Sequence, residues 1–400
     1  MKCKLITIFV VLVSAQNMWA EPLLVMVLMV KNEASVIEAT LQPFIDGGVK
    51  DFVIFDTGST DGTQEIVTHF FERHAIEHAY IVEEPFIDFS TSRNRALDVA
   101  QAYFPQATFM LMPDAEWYMH NVEGLLQFCA EHEDDYHASY LISIRSTTDA
   151  FYTTRLIRCH KGIRFVGAVH EALNQLTWVT LPDAIYFEWR PSQNGNKKSA
   201  QRWYRDRDLL LKSYEENPHD PRTLFYLGQT YGCLGDWETA YEYYKKRAEI
   251  QGWDEENFVT RVRLGDIAQW LAPKDGIAPC PLAIGHYLEA FSMRPHRAEP
   301  LIKIAQYYLD KGDMHLAFLF AARAVQIPYP AQDILFIEKH MYDFVRYDIL
   351  GICAWYVGEY DLGEWAVLRA LEAKPDVVYV QRNLQFYIDR KNNNNEENNL

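Results

Sequence analysis

Phe109-Met-Leu-Met-Pro-Asp-Ala-Glu-Trp117 is the stretch from which the fold can be read. An apolar run, Phe109 to Met112, ends at Pro113, and two carboxylates, Asp114 and Glu116, follow at once. A short, continuously apolar run suits a strand buried on both faces of a parallel sheet. In such sheets ligands gather beyond the carboxyl ends of the strands. Two carboxylates placed there suit a hard, oxygen-preferring cation such as Mg2+ or Mn2+. Solvated loop charges would look the same, because charged side chains are mostly exposed. The sequence upstream distinguishes the two.

Leu23 to Val30 reads as another buried strand, followed by Lys31-Asn-Glu33 and a helix-like stretch to Asp46. Asp51 to Phe55 is a second strand and runs straight into Asp56-Thr-Gly-Ser-Thr-Asp-Gly-Thr63, after which helical periodicity resumes from Gln64 to His74. Strand, helix, strand, helix predicts parallel βαβ units. Gly58 and Gly62 permit turns that other residues resist. Ser59, Thr60 and Asp61 can cap the next helix. Asp56, at a strand end, can accept hydrogen bonds from a ribose or a base.

Further on, Phe89-Ser-Thr-Ser-Arg-Asn-Arg95 leads into an amphipathic run to Tyr103. An arginine near a helix start, here Arg93, can meet a diphosphate with paired donors; pairing with Asp98 is the plainer alternative. Tyr140 to Arg145 and Thr153 to Arg158 read as strands and lead to Ile163-Arg-Phe-Val-Gly-Ala-Val-His-Glu171.

The combination of Val30-Lys-Asn-Glu33, Asp56 to Thr63 and Asp114-Ala-Glu116 resembles the signature of family-2 glycosyltransferases with the GT-A fold. The best match is a subgroup in which a short transferase domain precedes tetratricopeptide repeats. The resemblance covers roughly Leu23 to Arg190 and, less sharply, continues to about Asp254. It implies a Rossmann-like α/β domain with a mostly parallel sheet. It also implies metal-dependent, inverting transfer of a sugar from a nucleotide-sugar donor to a glycan, lipid or protein acceptor. On that resemblance Glu33, Asp56 and Asp61 line the nucleoside pocket, and Arg93 and Asn94 serve the donor. Asp114 and Glu116 hold Mn2+ or Mg2+, with Asp114 also on the donor. The Gly-x-Val-His-Glu ending supplies a general base: Glu171 is the candidate, while His170 could do this work or touch the metal or diphosphate.

Two departures from the subgroup stand out. Glu116 replaces the usual aspartate and reaches one methylene further. Tyr186-Phe-Glu-Trp-Arg190 and the following Pro191 to Asn196 stand where the subgroup often carries histidine and a glycine-rich turn. A third metal ligand is then missing, or Glu188 stands in for it. These departures support a second reading, a degenerate transferase domain serving as scaffold for an interaction module.

From about Ser199 strand signals give way to helical ones. Leu224, Leu227, Gly228, Tyr231, Gly235, Ala240 and Tyr244 follow tetratricopeptide spacing, as do Leu301, Ile304, Ala305, Tyr308, Gly312, Ala317, Ala321 and Ala324. Tyr347 to Pro375 gives a weaker copy, and Ala283, Ala290 and Pro295 suggest another, interrupted near Pro273 to Pro281. An all-α solenoid of this kind presents a concave surface to a protein partner, or it only stabilises the first domain or mediates self-association.

Composition fits a chain of this build. The protein has 400 residues, too many for one typical core, with 49% hydrophobic and 14% aromatic residues. A formal net charge of -17 argues against nonspecific nucleic-acid binding. Six scattered cysteines form no Cys-x-x-Cys motif and read as small buried residues. Lys2, Lys4 and the apolar run Leu5 to Val13 have the layout of a signal peptide or anchor, too short for a comfortable span. Such a leader points to export or membrane association, while donor availability points to the cytosolic face. The expected organisation is a leader over 1–20, the GT-A domain over 21–196, the repeat array over 197–390 and a disordered Asn-rich tail over 391–400.

Overall fold

Seven consecutive apolar residues, Leu24–Val30 (β1), are almost entirely buried because both faces of the strand are covered. β1 lies between Asp51–Asp56 (β2) and Phe109–Leu111 (β4), parallel to both, and His78–Glu83 (β3) extends β2 in the same direction. Beyond β4 the directions are mixed: Ala150–Arg158 (β7) is antiparallel to β4 and to Ser139–Arg145 (β6), and Tyr186–Trp189 (β10) runs parallel to β6. Trp117–His120 (β5) closes the far edge, antiparallel to β10. The result is an eight-stranded sheet ordered β3-β2-β1-β4-β7-β6-β10-β5. The expected parallel sheet is therefore realised in β3 to β4, and the other half is mixed. The structure is a computed structural model describing residues 22–146, 150–175, 179–190, 193–272 and 281–397. The expected leader lies outside the described residues.

The alternation of side chains along each strand builds two cores. Leu24, Met26, Leu28, Phe52 and Ile54 face the helices Ile37–Asp46 (α1), Thr63–Arg73 (α2) and Val122–Glu131 (α4). Val25, Val27, Val53, Phe55 and Met110 face Phe89–Tyr103 (α3) and the short hairpin of Phe165–Val166 (β8) and Ala172–Leu173 (β9). Fully burying one such aliphatic or aromatic side chain contributes on the order of 1.5–3 kcal/mol.

The chain packs as two units, one from Met1–Val166 and Ala172–Pro191, the other from Gly167–Glu171 and Ser192–Leu400. The second unit opens with a long helix, Gln193–Glu216 (α5), followed among the described residues by antiparallel helix pairs. These are Pro221–Cys233 with Trp237–Ala248 (α6, α7), Asp254–Leu271 with Pro281–Met293 (α8, α9), Glu299–Asp310 with Met314–Ala324 (α10, α11) and Arg346–Val357 with Tyr360–Ala373 (α12, α13). Small residues set the pair spacing: a Cβ on Gly228 would lie 2.9 Å from the Tyr244 ring, and one on Gly265 2.4 Å from Tyr287. The interruption anticipated near Pro273 falls largely outside the described residues, between α8 and α9. The last helix, Val378–Glu397 (α14), continues well into the Asn-rich stretch that was expected to be disordered. Among the described residues no helix is long and apolar enough to cross a membrane. Cys129, Cys159 and Cys353 are buried, as expected, and Cys233 is exposed; Cys3 and Cys280 lie outside the described residues.

Candidate active site

The pairing of Val30 with Asp56 brings the turns after β1 and β2 to one edge of the sheet. Four hydrogen bonds stitch them together. Asn32 N donates to Ser59 Oγ (2.8 Å), Thr60 N to Asn32 Oδ1 (2.8 Å), Glu33 N to Thr63 Oγ1 (2.9 Å) and Ala34 N to Asp61 Oδ2 (3.1 Å). Gly58 makes the bend at φ +100°, a conformation that side chains resist. Asp56 is fully buried, and its Oδ1 accepts from the N–H groups of Gly58 (2.8 Å) and Ser59 (2.7 Å). Its Oδ2 is buried with no hydrogen-bond partner among the described residues. An orphaned buried carboxylate oxygen is costly and calls for a donor. Asp61 is exposed and fastens the two turns through Ala34 and Thr63. Desolvation works against its charge, but the Thr63 hydroxyl and the N–H groups outweigh that and hold its carboxyl below the usual range.

The second cluster forms beyond β4. Asp88 caps α3 by accepting from Thr91 N (2.7 Å), which places Arg93 in the first turns with its side chain buried. Arg93 Nη2 donates to Asp114 Oδ1, and Arg155 Nη2 lies 3.6 Å from Asp114 Oδ2. Burial alone would raise the Asp114 pKa; the two guanidinium groups outweigh it and hold the carboxyl below the usual range, although the side chain keeps 38% of its exposure. Phe165 lies beneath both arginines, its ring 5.6 Å from the Arg93 guanidinium and 5.5 Å from that of Arg155, and Trp117 is 5.4 Å from the latter. Asp98, the alternative partner of Arg93, is bound by Arg164 at 2.9 Å. Asn94 holds the backbone of Phe165 through both its amide atoms.

Arg155 is the residue that the sequence reading missed. The available signal was a basic residue within the strand-like stretch Thr153 to Arg158. Its partner became visible only through the pairing of β7 with β4, where Met112 N donates to Arg155 O at 3.0 Å.

Glu116 sits two positions beyond Asp114 in a left-handed turn, φ 69°. That uncommon conformation is held from three sides: Glu116 N donates to Thr40 Oγ1 (3.4 Å), Trp117 N to Asp114 O (3.3 Å) and Arg190 N to Glu116 O (3.2 Å). Tyr118 shows what else lies here. Desolvation, then the charges of Glu116, Glu188 and Glu33, raise its pKa, with Arg190 opposing. Glu188, considered above as a third metal ligand, is held elsewhere: it accepts from Arg190 Nε (2.7 Å) and pairs with His120 Nε2 (2.9 Å), and these partners lower its pKa to about 2. Among the described residues no three histidine, cysteine or acidic side chains form a metal cage. Asp114 and Glu116 are oxygen donors suited to a cation that completes its shell with substrate phosphates, as Mg2+ commonly does.

Glu171 and His170 lie in the stretch Gly167–Glu171, which packs with the helical unit rather than with the sheet that flanks it in sequence. Val169 is buried beside Phe225, Tyr226 and Phe258. The His170 imidazole stacks on Tyr226, centroids 4.1 Å apart and 12° between planes, and the residue as a whole is exposed. Loss of water on the covered side, with Arg222 and Arg202, holds His170 below the ordinary histidine value; Glu171 pulls the other way.

No protein-family model matches the chain. Among curated proteins it is similar to the SPbeta prophage-derived glycosyltransferase SunS of Bacillus subtilis (strain 168), 25% identical over 232 residues that cover 55% of this chain and 51% of that protein. The glycosyltransferase SunS of Bacillus phage SPbeta matches to the same extent. The match thus spans about half the length of these curated relatives. Among solved structures the chain is similar to MamA (TM-score 0.35, 18% identity, 47% of this chain and 98% of that one). It is also similar to YrrB, a TPR protein with an unusual peptide-binding site (TM-score 0.34, 14% identity, 46% and 84%).

Proposed function

We propose that the chain is an inverting glycosyltransferase of the GT-A type that moves a sugar from a nucleotide-sugar donor to an acceptor hydroxyl or a related nucleophile on a glycan, lipid or protein. The observation that carries this reading is the site at the strand ends. There the orphaned Oδ2 of Asp56 calls for a donor group, and Asp114 is held ionised between Arg93 and Arg155. The partial similarity to a glycosyltransferase supports it.

In this reading Asp56 and Glu33 face the nucleoside, and the Arg93–Asp114–Arg155 cluster fixes the charge pattern at the diphosphate. A divalent cation such as Mn2+ or Mg2+, held by Asp114 and Glu116, would offset the negative charge growing on the leaving group. Glu171 accepts the acceptor's proton as the new C–O bond forms at the anomeric carbon. The bond to the diphosphate breaks on the opposite face, and its electrons leave with the nucleoside diphosphate. His170, kept neutral, is the alternative base. The repeat array is then a surface for the acceptor or for a protein partner.

The test is a thermal-shift series with UDP-, GDP- and dTDP-sugars, with and without Mn2+, followed by assay of nucleoside diphosphate release. A ligand that binds only the folded state must raise the melting temperature. A Mn2+-dependent shift with sugar release is the expected result. No shift and no release with any donor would favour the second reading, a scaffold with a degenerate transferase domain. Glu116 in place of aspartate and the commitment of Glu188 to Arg190 and His120 speak for that alternative.

A further inference from the structure

The stretch Gly167–Glu171 contains two residues with positive φ. Gly167 has φ +100° and His170, a non-glycine residue, φ 52°. Glycine adopts such backbone freely; at His170 it is uncommon and is held by its surroundings. Here the surroundings are α6 and α8. Arg222 Nη2 donates to the His170 carbonyl at 2.6 Å. The Arg222 guanidinium also lies 5.0 Å from the centroid of the Tyr226 ring, the same ring that stacks on His170. Arg222 is itself aimed by Glu256, which accepts from its Nη1 at 3.1 Å and is held in turn by fully buried Arg247 at 3.4 Å. At Gly167 it is the φ that calls for glycine, since a Cβ there would meet only ordinary contacts, 3.4 Å from Val169 O and 4.0 Å from Arg222 Nε.

We propose that Arg222 and Tyr226, on the first helix pair of the array, are positioning residues for the carboxylate of Glu171. The inference rests on Glu171 being the base. Arg222 fixes the peptide between His170 and Glu171, and Tyr226 fixes the ring beside it, so the Glu171 side chain leaves the backbone in one direction. A base misplaced by a single ångström loses much of its effect.

The test uses the full chain with Glu171→Gln, Arg222→Met, Arg222→Lys, Tyr226→Phe and Tyr226→Leu, and the double variant of Glu171→Gln with Arg222→Met. The readouts are Mn2+-dependent nucleoside diphosphate release from the UDP-, GDP- or dTDP-sugar giving the largest thermal shift, the dissociation constant for that sugar, and backbone hydrogen exchange. Glu171→Gln should lose roughly a hundredfold to ten-thousandfold in turnover. Arg222→Met should lose about tenfold to a hundredfold in turnover with donor affinity unchanged, and the Gly167–Glu171 amides should exchange faster while those of α10 to α13 do not. Arg222→Lys should recover part of the loss, and Tyr226→Phe, which keeps the ring, nearly all. The double variant should be no slower than Glu171→Gln alone, because a positioning residue has nothing left to position.

If Arg222→Met is folded and turns over normally, or if its loss multiplies with that of Glu171→Gln, the proposal fails while the base assignment stands. If Glu171→Gln turns over normally, the base assignment fails and the proposal with it. Should Arg222→Met not fold, Tyr226→Phe against Tyr226→Leu decides: equal turnover in the two overturns the proposal.

Discussion

Asn94 grips the backbone of Phe165 from both sides, its Nδ2 donating to the carbonyl and its Oδ1 accepting from the N–H, each at 2.8 Å. The amide thus imitates a neighbouring strand for a residue 2% exposed, whose ring lies beneath Arg93 and Arg155. Asn94→Ala leaves two buried backbone groups without partners, at a cost of about 1–3 kcal/mol. Asn94→Asp should fare no better, because a carboxylate cannot donate to the Phe165 carbonyl. Urea denaturation of the two variants checks this; stabilities within 0.5 kcal/mol of the parent, about the range of ordinary surface changes, would show that the clamp is idle.

Asp114 is the counter-charge of two buried arginines, so its neutralisation is not the cheap loop change that the sequence suggests. Asp114→Asn should abolish transfer and also destabilise the fold by about 1–3 kcal/mol. That is less than the 3–5 kcal/mol typical of a broken buried pair, because water reaches this carboxylate. Adding Arg155→Met should restore part of the stability and none of the activity. A fully stable Asp114→Asn would show that the guanidinium groups do not depend on it.

The depressed carboxyl of Asp114 also fixes the sign of an acid response. Its folded pKa lies below the unfolded value of about 3.9, so the unfolded chain takes up the proton first. The stabilisation is complete above the unfolded pKa and is lost as pH falls through the folded one. His170, also lowered, acts at higher pH: between about 6.5 and its folded value the unfolded state again binds more protons, so stability falls as pH drops. The exposure of the residue keeps this effect small. Melts at pH 7 and pH 5 should differ less in His170→Asn than in the parent, and an unchanged difference would remove His170 from the acid response.

A fragment ending at Arg190 keeps Gly167–Glu171 but lacks α6, so Val169 loses the cluster in which it is buried and His170 loses Arg222 and Tyr226. Limited proteolysis should cut that fragment within the stretch while sparing the full chain. Equal resistance there would mean that the sheet unit orders the stretch without help.

The parts legible in the sequence were those written in local pattern. Leu24 to Val30 and Phe109 to Leu111 declare themselves as strands because burial on both faces demands unbroken apolar runs. The turn from Asp56 to Thr63 declares itself by its glycines. Long-range pairing left no local trace. Arg155 belongs to the site only because β7 runs beside β4, and Glu188 is paired with His120 only because β5 runs beside β10. The allegiance of Gly167–Glu171 was hidden for the same reason, since its partners lie on helices read as a separate domain. The Asn-rich tail misled in the other direction: a biased composition suggested disorder, and α14 runs on to Glu397.

The order of synthesis adds a consequence. Gly167–Glu171 is threaded between β8 and β9, yet the guanidinium that fixes it is encoded 52 residues later. At the usual pace of about 5–20 residues per second, roughly 3–10 s pass between their emergence from the ribosome. A nascent chain can finish pairing every strand of its sheet during that interval and still carry a limp Glu171. The stretch reaches its held form only with α6, so an interrupted translation product would display a complete sheet and a Glu171 whose backbone is not yet fastened.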